Sequence, residues 1–172
     1  METQVALIRG INCGSRSAVR LATRSHAQHG HDDEDSRADW RPTAVTAMTR
    51  RLSRPIVAAI DESKILGVRA GDRSDHRFIG IWAVVADGRV FARSWTQTPG
   101  GWYRTFLEDR LGTIQVGTRE VRIRAVRARG TRIRDNVERA YAKKYQTPGS
   151  LKYVRGFRTP RRRDTTMEFV PR

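Results

Sequence analysis

The stretch Gly88–Phe106, "GRVFARSWTQTPGGWYRTF", gathers guanidinium groups (Arg89, Arg93, Arg104), hydroxyls (Ser94, Thr96, Thr98, Thr105) and rings (Trp95, Trp102, Tyr103) around the pair Gly100-Gly101. Arginine offers a rigid fork of donors that matches the oxygens of a phosphate. Hydroxyls add neutral donors, and a helix N-terminus presents unpaired N–H groups to an anion. The same residues also suit an ordinary strand–loop–helix junction: Arg93 stacked on Trp82 as a cation–π pair, Ser94 packed as a small residue, Trp102 anchoring a helix to the core, Arg104 solvated. Both readings stand at this stage.

Local patterns supply the elements that would position these groups. Phe78–Ala86, "FIGIWAVVA", is apolar on both faces and reads as one fully buried strand. Asp87-Gly88 is the pair preferred by a two-residue type I′ turn, and Arg89–Trp95 returns as the second arm. That turn sets the register, with Ala86 opposite Arg89, Val84 opposite Phe91 and Trp82 opposite Arg93. Facing residues share a side of the sheet, so Trp82, Val84, Phe91 and Arg93 are expected on one face. Ile81, Ala83, Val85, Val90, Ala92 and Ser94 are expected on the other. A helix follows from about Trp102 to Arg110, stopped near Gly112.

Upstream, Ile56–Ser63 suits a short helix and Lys64–Ala70 a strand. Downstream, "TIQV" and "REVRIRAV" flank Gly117-Thr118, which suits a type II′ turn. Val121, Ile123 and Ala125 alternate there with Glu120, Arg122 and Arg124, giving one buried and one basic face. A helix is expected from about Arg134 to Tyr145, broken by Pro148-Gly149, with a short helical turn in "SLKYVRGF". Thr165–Arg172, "TTMEFVPR", alternates as a closing strand. This order predicts an α+β, mainly β fold: a small barrel or curled sheet of antiparallel strands capped by helices.

Residues 1–54 read differently. They lack a sustained period and are expected to form a disordered or loosely helical extension, with a short helix over Thr43–Leu52, ahead of a barrel domain at residues 55–172. His26, His29 and His31 lie beside Asp32, Asp33, Glu34 and Asp35. They have no folded frame to fix a ligand geometry, so no metal site is expected. Cys13, the one cysteine of the 172 residues, reads as an incidental thiol. A single cysteine excludes intramolecular disulfides and suits a reducing, cytoplasmic setting. No run approaches the roughly 18 apolar residues of a membrane span.

The net charge is +16, and of the 34 basic residues only Lys64, Lys143, Lys144 and Lys152 are lysine. Such a field attracts polyanions, nucleic acid included. No nucleic-acid-binding signature accompanies the basic runs Arg119–Arg124 and Arg158–Asp164, so a solvated arginine-rich surface is the default reading for them.

The element order, with "IWAVVADGRVFARSW", "GGWYRTF", "GTIQVGTREVRIRAV" and "ERAYAKKYQ", resembles the domain of unknown function 2255, a family of uncharacterised bacterial proteins. Its members look like split β-barrels of the FMN-binding superfamily, similar to pyridoxamine-phosphate oxidases and deazaflavin-dependent reductases. The resemblance covers about Pro55–Arg172. It implies a cofactor site holding the phosphate of FMN or a deazaflavin, at Arg93, Ser94, Thr96, Thr98 and Arg104, with Trp82, Trp95 and Trp102 beside the ring. It further implies a homodimer and an oxidoreductase whose electron transfer the cofactor carries; no catalytic acid or base is identified. A branch that has lost its cofactor is the variant of this expectation. A cofactor-free protein binding nucleic acid or another polyanion is the reading from a different class.

Overall fold

The computed structural model describes residues 51–172. The expected helix at Thr43–Leu52, Cys13 and the histidine-rich run fall almost wholly outside them. Among the described residues, five helices surround one seven-stranded, wholly antiparallel sheet that curls into a nearly closed barrel.

Helix α1 spans Arg54–Glu62 with Pro55 in its first turn, where its missing N–H costs nothing. Its buried residues Ile56 and Ile60, four apart, and the preceding Leu52 join the interior cluster. Strand β1 (Leu66–Ala70) follows, then β2 (Ile79–Ile81), β3 (Ala83–Ala86) and β4 (Arg89–Ala92). Helix α2 spans Trp102–Glu108, and β5 (Leu111–Val116) and β6 (Arg119–Arg127) form the second hairpin. Helices α3 (Thr131–Lys144), α4 (Pro148–Gly156) and α5 (Pro160–Arg163) precede β7 (Met167–Pro171). The strands lie in the order β2-β1-β5-β6-β7-β4-β3.

Both hairpins take the register their turns predict. Asp87 and Gly88 have φ of 53° and 70°, the left-handed pair of a type I′ turn, and Val84 faces Phe91. At Gly117 φ is 58°, and Ile114 faces Val121. The faces divide as expected too. Ile81, Ala83, Val90 and Ala92 point into the barrel interior with Tyr103, Phe106, Ile123 and Phe169. Val84, Ala86 and Phe91 point outward against Val137, Tyr141, Val154 and Phe157 of α3, α4 and the residue after α4.

The run Phe78–Ala86 departs from the single strand expected of it. It breaks at Trp82, so that β2 pairs with β1 while β3 pairs with β4. One apolar run therefore supplies both ends of the sheet. The break has an identifiable wedge. Continuing the β3–β4 register would place Trp82 opposite Arg93. Instead the Tyr141 hydroxyl accepts a hydrogen bond from the Arg93 amide (3.0 Å) and donates one to the Trp82 carbonyl (3.0 Å). Burial raises the pKa of this phenol above its ordinary value, so it keeps the proton it donates. Beside the wedge, Lys144 Nζ donates to the Ala83 carbonyl (2.8 Å) and to that of Ile60 (2.7 Å). Ile60 lies in the last turn of α1, whose carbonyls lack intrahelical donors.

Helix α2 ends at Glu108, ahead of the predicted stop. The Asp109 carboxylate receives the amides of Asp72 (2.8 Å) and Leu111 (3.0 Å), which hold its pKa below the usual carboxylate value. Gly112 lies within β5, where a Cβ would come 2.6 Å from the Arg69 carbonyl and 2.7 Å from the Phe106 ring. Only glycine lets helix and sheet meet this closely. In β7, Glu168 is buried, where alternation alone suggests a wet position, because Arg89 Nε reaches its carboxylate at 2.7 Å.

Candidate functional site

Arg93, at the end of β4, is 2% exposed, and its guanidinium is held from inside. Nε donates to Thr166 Oγ1 (2.9 Å), Nη1 to the Phe157 carbonyl (3.0 Å) and Nη2 to the Arg134 carbonyl (2.7 Å). Glu138 completes the surroundings at 4.0 Å, and its carboxylate also meets Arg158 (3.2 Å) and Arg163 (3.5 Å). Burial lowers the pKa of Arg93, the Tyr141 and Glu138 environments opposing that shift. The side chain ties β4 to α3, α4 and the start of β7. Neither of the two arrangements open from the sequence, a phosphate fork or a cation over Trp82, describes these contacts.

The other residues named from the sequence scatter around it. The Ser94 amide donates to Thr165 Oγ1 (2.9 Å), and the Ser94 hydroxyl donates to the Thr96 carbonyl. Thr96 and Thr98 hold their hydroxyls 3.5 Å apart on an exposed loop. Arg104 is exposed and makes no hydrogen bond or ion pair among the described residues. Trp82 stacks on Tyr145 at 4.2 Å between centroids and 6° between planes, outside the barrel wall. Trp102 packs on the interior side, edge-on to Phe106 and Phe169. Trp82 and Trp102 thus lie on opposite sides of the sheet. With the Arg93 donors engaged, these seven residues do not fit a phosphate with its tricyclic ring at this place. Trp95, directly after Ser94, is pressed against Gly156 and lies under the Arg162 guanidinium at 3.6 Å.

A different place brings binding groups together. Where the end of α2 meets the end of β6, a cleft of about 230 Å³ is lined by Phe106, Leu107, Arg110, Ala125, Val126, Arg127, Arg129 and Met167. Its floor is the barrel interior: Phe106, Ala125 and Met167 belong to the core. Its rim carries three exposed arginines and Val126, which is 38% exposed. No acidic residue lines it, and among the described residues the side chains of Arg110, Arg127 and Arg129 make no hydrogen bond or ion pair. The backbone fixes them, since the Ala125 amide donates to the Arg110 carbonyl (2.8 Å) and Arg127 pairs with Met167. Arginine stays protonated at any working pH, so this set can hold and polarise an anion but cannot exchange a proton with it. The signal in the sequence is faint: Arg127 and Arg129 alternate around buried Ala128, but Arg110 joins them only through the fold.

Among the described residues, no cluster of three or more His, Cys, Asp or Glu could hold a metal, and no helix is long and apolar enough to cross a membrane. No curated protein matches the chain. Among solved structures, the conserved hypothetical protein Rv2991 from Mycobacterium tuberculosis is similar at 11% identity, with a TM-score of 0.47 over 72% of this chain and 81% of that one. The profile of a family described as an uncharacterized protein conserved in bacteria matches residues 56–169, and the chain belongs to that family, the domain of unknown function 2255.

Proposed function

We propose that this protein is a ligand-binding barrel that takes a small anionic molecule with an apolar body into the cleft between α2 and β6. The observation that carries this reading is the trio Arg110, Arg127 and Arg129 around an apolar floor, with no acidic residue in the lining among the described residues. Pockets that bind small molecules pair a mostly apolar lining with a few convergent polar groups. Phosphates of the flavin or deazaflavin type are the ligands that the resemblance to FMN-binding split barrels brings forward, and an oxidoreductase activity would come with such a cofactor. The test is thermal unfolding with and without FMN, a deazaflavin phosphate and simple organic anions, alongside the visible absorbance of the purified protein. A rise in Tm that disappears in Arg127→Ala supports the reading. No rise with any anion counts against it.

A second reading, a cofactor-free protein that binds a polyanion, is favoured by α4 and α5. From Pro148 to Arg163 the chain carries Lys152, Arg155, Arg158, Arg161, Arg162 and Arg163 and no acid. Phosphate-backbone binding weakens steeply with salt. Retention on immobilised single-stranded DNA that survives low salt and is lost at moderate salt supports this reading, and indifference to DNA at low salt removes it.

A further inference from the structure

We infer that the ligand of the α2–β6 cleft is a compact organic phosphomonoester, a dianion on a body no larger than one ring. This rests on the reading of the cleft as the ligand site and narrows it by charge, size and surface.

Charge comes first. Among the described residues, three guanidinium groups line the cleft and no carboxylate does. A monocarboxylate offers two oxygens and one charge to these three forks. A phosphomonoester carries about −1.5 to −2 at neutral pH on three strong acceptor oxygens. Arginine–phosphate pairs are bidentate where geometry allows, so a single phosphate can engage all three side chains.

Size and surface favour a body smaller than a tricyclic ring. The cleft measures about 230 Å³, below the roughly 300–1,000 Å³ of pockets that enclose drug-sized ligands. A tricyclic ring also needs flat neighbours, and Phe106 is the one aromatic residue in the lining. Its ring is already packed against Gly112, Trp102 and Phe169, and it is 1% exposed. Leu107 and Val126 supply the accessible aliphatic surface, with Ala125 and Met167 buried beneath it, and it suits a short chain or the edge of a single ring. The phosphate sits at the arginine rim and the apolar body rests on Leu107 and Val126, the accessible part of the apolar lining.

The experiment is calorimetric titration of the full chain with phenyl phosphate, benzoate, inorganic phosphate and FMN, in the native protein and in Arg110→Ala, Arg127→Ala and Arg132→Ala. Arg132 is an exposed arginine outside the cleft and controls for lost net charge. Phenyl phosphate should bind about ten-fold or more tightly than benzoate, and each cleft variant should weaken it about ten-fold or more, as loss of a charge-assisted hydrogen bond does. Phenyl phosphate should also outcompete inorganic phosphate, and Arg132→Ala should leave binding unchanged. Tight FMN binding without phenyl phosphate binding, or benzoate equal to phenyl phosphate, overturns the compact phosphomonoester and leaves the cleft as the ligand site. If no anion binds, or Arg132→Ala costs as much as Arg127→Ala, the cleft reading falls with it.

Discussion

Two groups of arginines in this barrel have opposite fates. Arg93 is enclosed by three internal acceptors and Glu138, with its guanidinium shut away from solvent. Arg110, Arg127 and Arg129 stand at the rim of an apolar cleft with no internal acceptor among the described residues. The two sets share one chemistry, and their partners separate them. A guanidinium whose donors all turn to internal acceptors serves the fold, because those donors would otherwise be buried and unpaired. A guanidinium with no partner beside an apolar floor is free to meet something from outside. In a chain with this much arginine, residue type alone says little about binding, and satisfied donors say more.

This contrast predicts large stability effects at one place and small ones at the other. Arg93→Leu should be the most damaging change. It strands the Phe157 carbonyl, takes a donor from the Arg134 carbonyl of α3 and from Thr166 Oγ1, and removes a cation from Glu138, whose Oε2 has no hydrogen bond among the described residues. Breaking such a buried set costs about 3–5 kcal/mol, read as a lower urea midpoint. A variant as stable as the native protein would erase the contrast from its structural side.

Gly112→Ala should come next, at about 1–3 kcal/mol, because overpacking forces neighbours out of place. Here the new methyl meets a backbone carbonyl and the Phe106 ring. Since Phe106 also lines the cleft, this variant should disturb ligand affinity as well as stability. It is the one substitution expected to act on both regions, and titration with phenyl phosphate beside urea unfolding measures both effects.

Tyr141→Phe removes the hydroxyl between Trp82 and Arg93 and should cost about 1–3 kcal/mol through two unpaired backbone groups. Its pH signature is separate. Burial raises the pKa of both Tyr141 and Tyr145, while unfolded tyrosines ionise near 10. The stability these phenols contribute is intact below about pH 10 and is lost as the pH rises beyond it. Tyr141→Phe should flatten that alkaline loss by up to about 1.4 kcal/mol per pH unit, one proton's worth. Denaturant midpoints between pH 9 and 11 check the slope.

The smallest stability effect should come from Arg127→Ala. An exposed residue without internal partners among the described residues shifts stability by less than about 0.5 kcal/mol, while the same substitution should abolish most of the response to an anion. A large loss of stability in Arg127→Ala would mean that the cleft arginines, like Arg93, are part of the frame.

What the sequence reveals here follows the range of the interactions. The two hairpins are local: turn residues and alternation determine their register, and the division of Trp82, Val84, Phe91 and Arg93 from Ile81, Ala83 and Val90 follows directly. The break at Trp82 is not local. It depends on a hydroxyl delivered by α3 from 59 residues away, and no feature within "FIGIWAVVA" announces it. Glu168 reads as solvated because its partner, Arg89, is 79 residues distant. Arg93 reads as a ligand for the same reason: the acceptors that enclose it belong to α3, α4 and the approach to β7. Gly112 reads as a helix stop because a close helix–sheet approach and a helix terminus both call for glycine. The cleft was the least legible feature, since its three arginines come from the end of α2, the end of β6 and the turn after it.

The place of β7 also bears on how the chain is made. This final strand lies between β6 and β4, so until it docks the sheet exists as two halves, β2-β1-β5-β6 and β4-β3. The chain then links those halves only through the peptide at Trp82 and through the α2 segment between β4 and β5. A nascent chain lacking Met167–Pro171 would present two bare inner edges together with the uncovered core residues Ile123, Ala125, Val90 and Ala92. Unpaired edges beside apolar faces are templates for pairing between molecules. Premature termination or C-terminal proteolysis within a handful of residues should therefore give aggregates, with no smaller soluble barrel left behind.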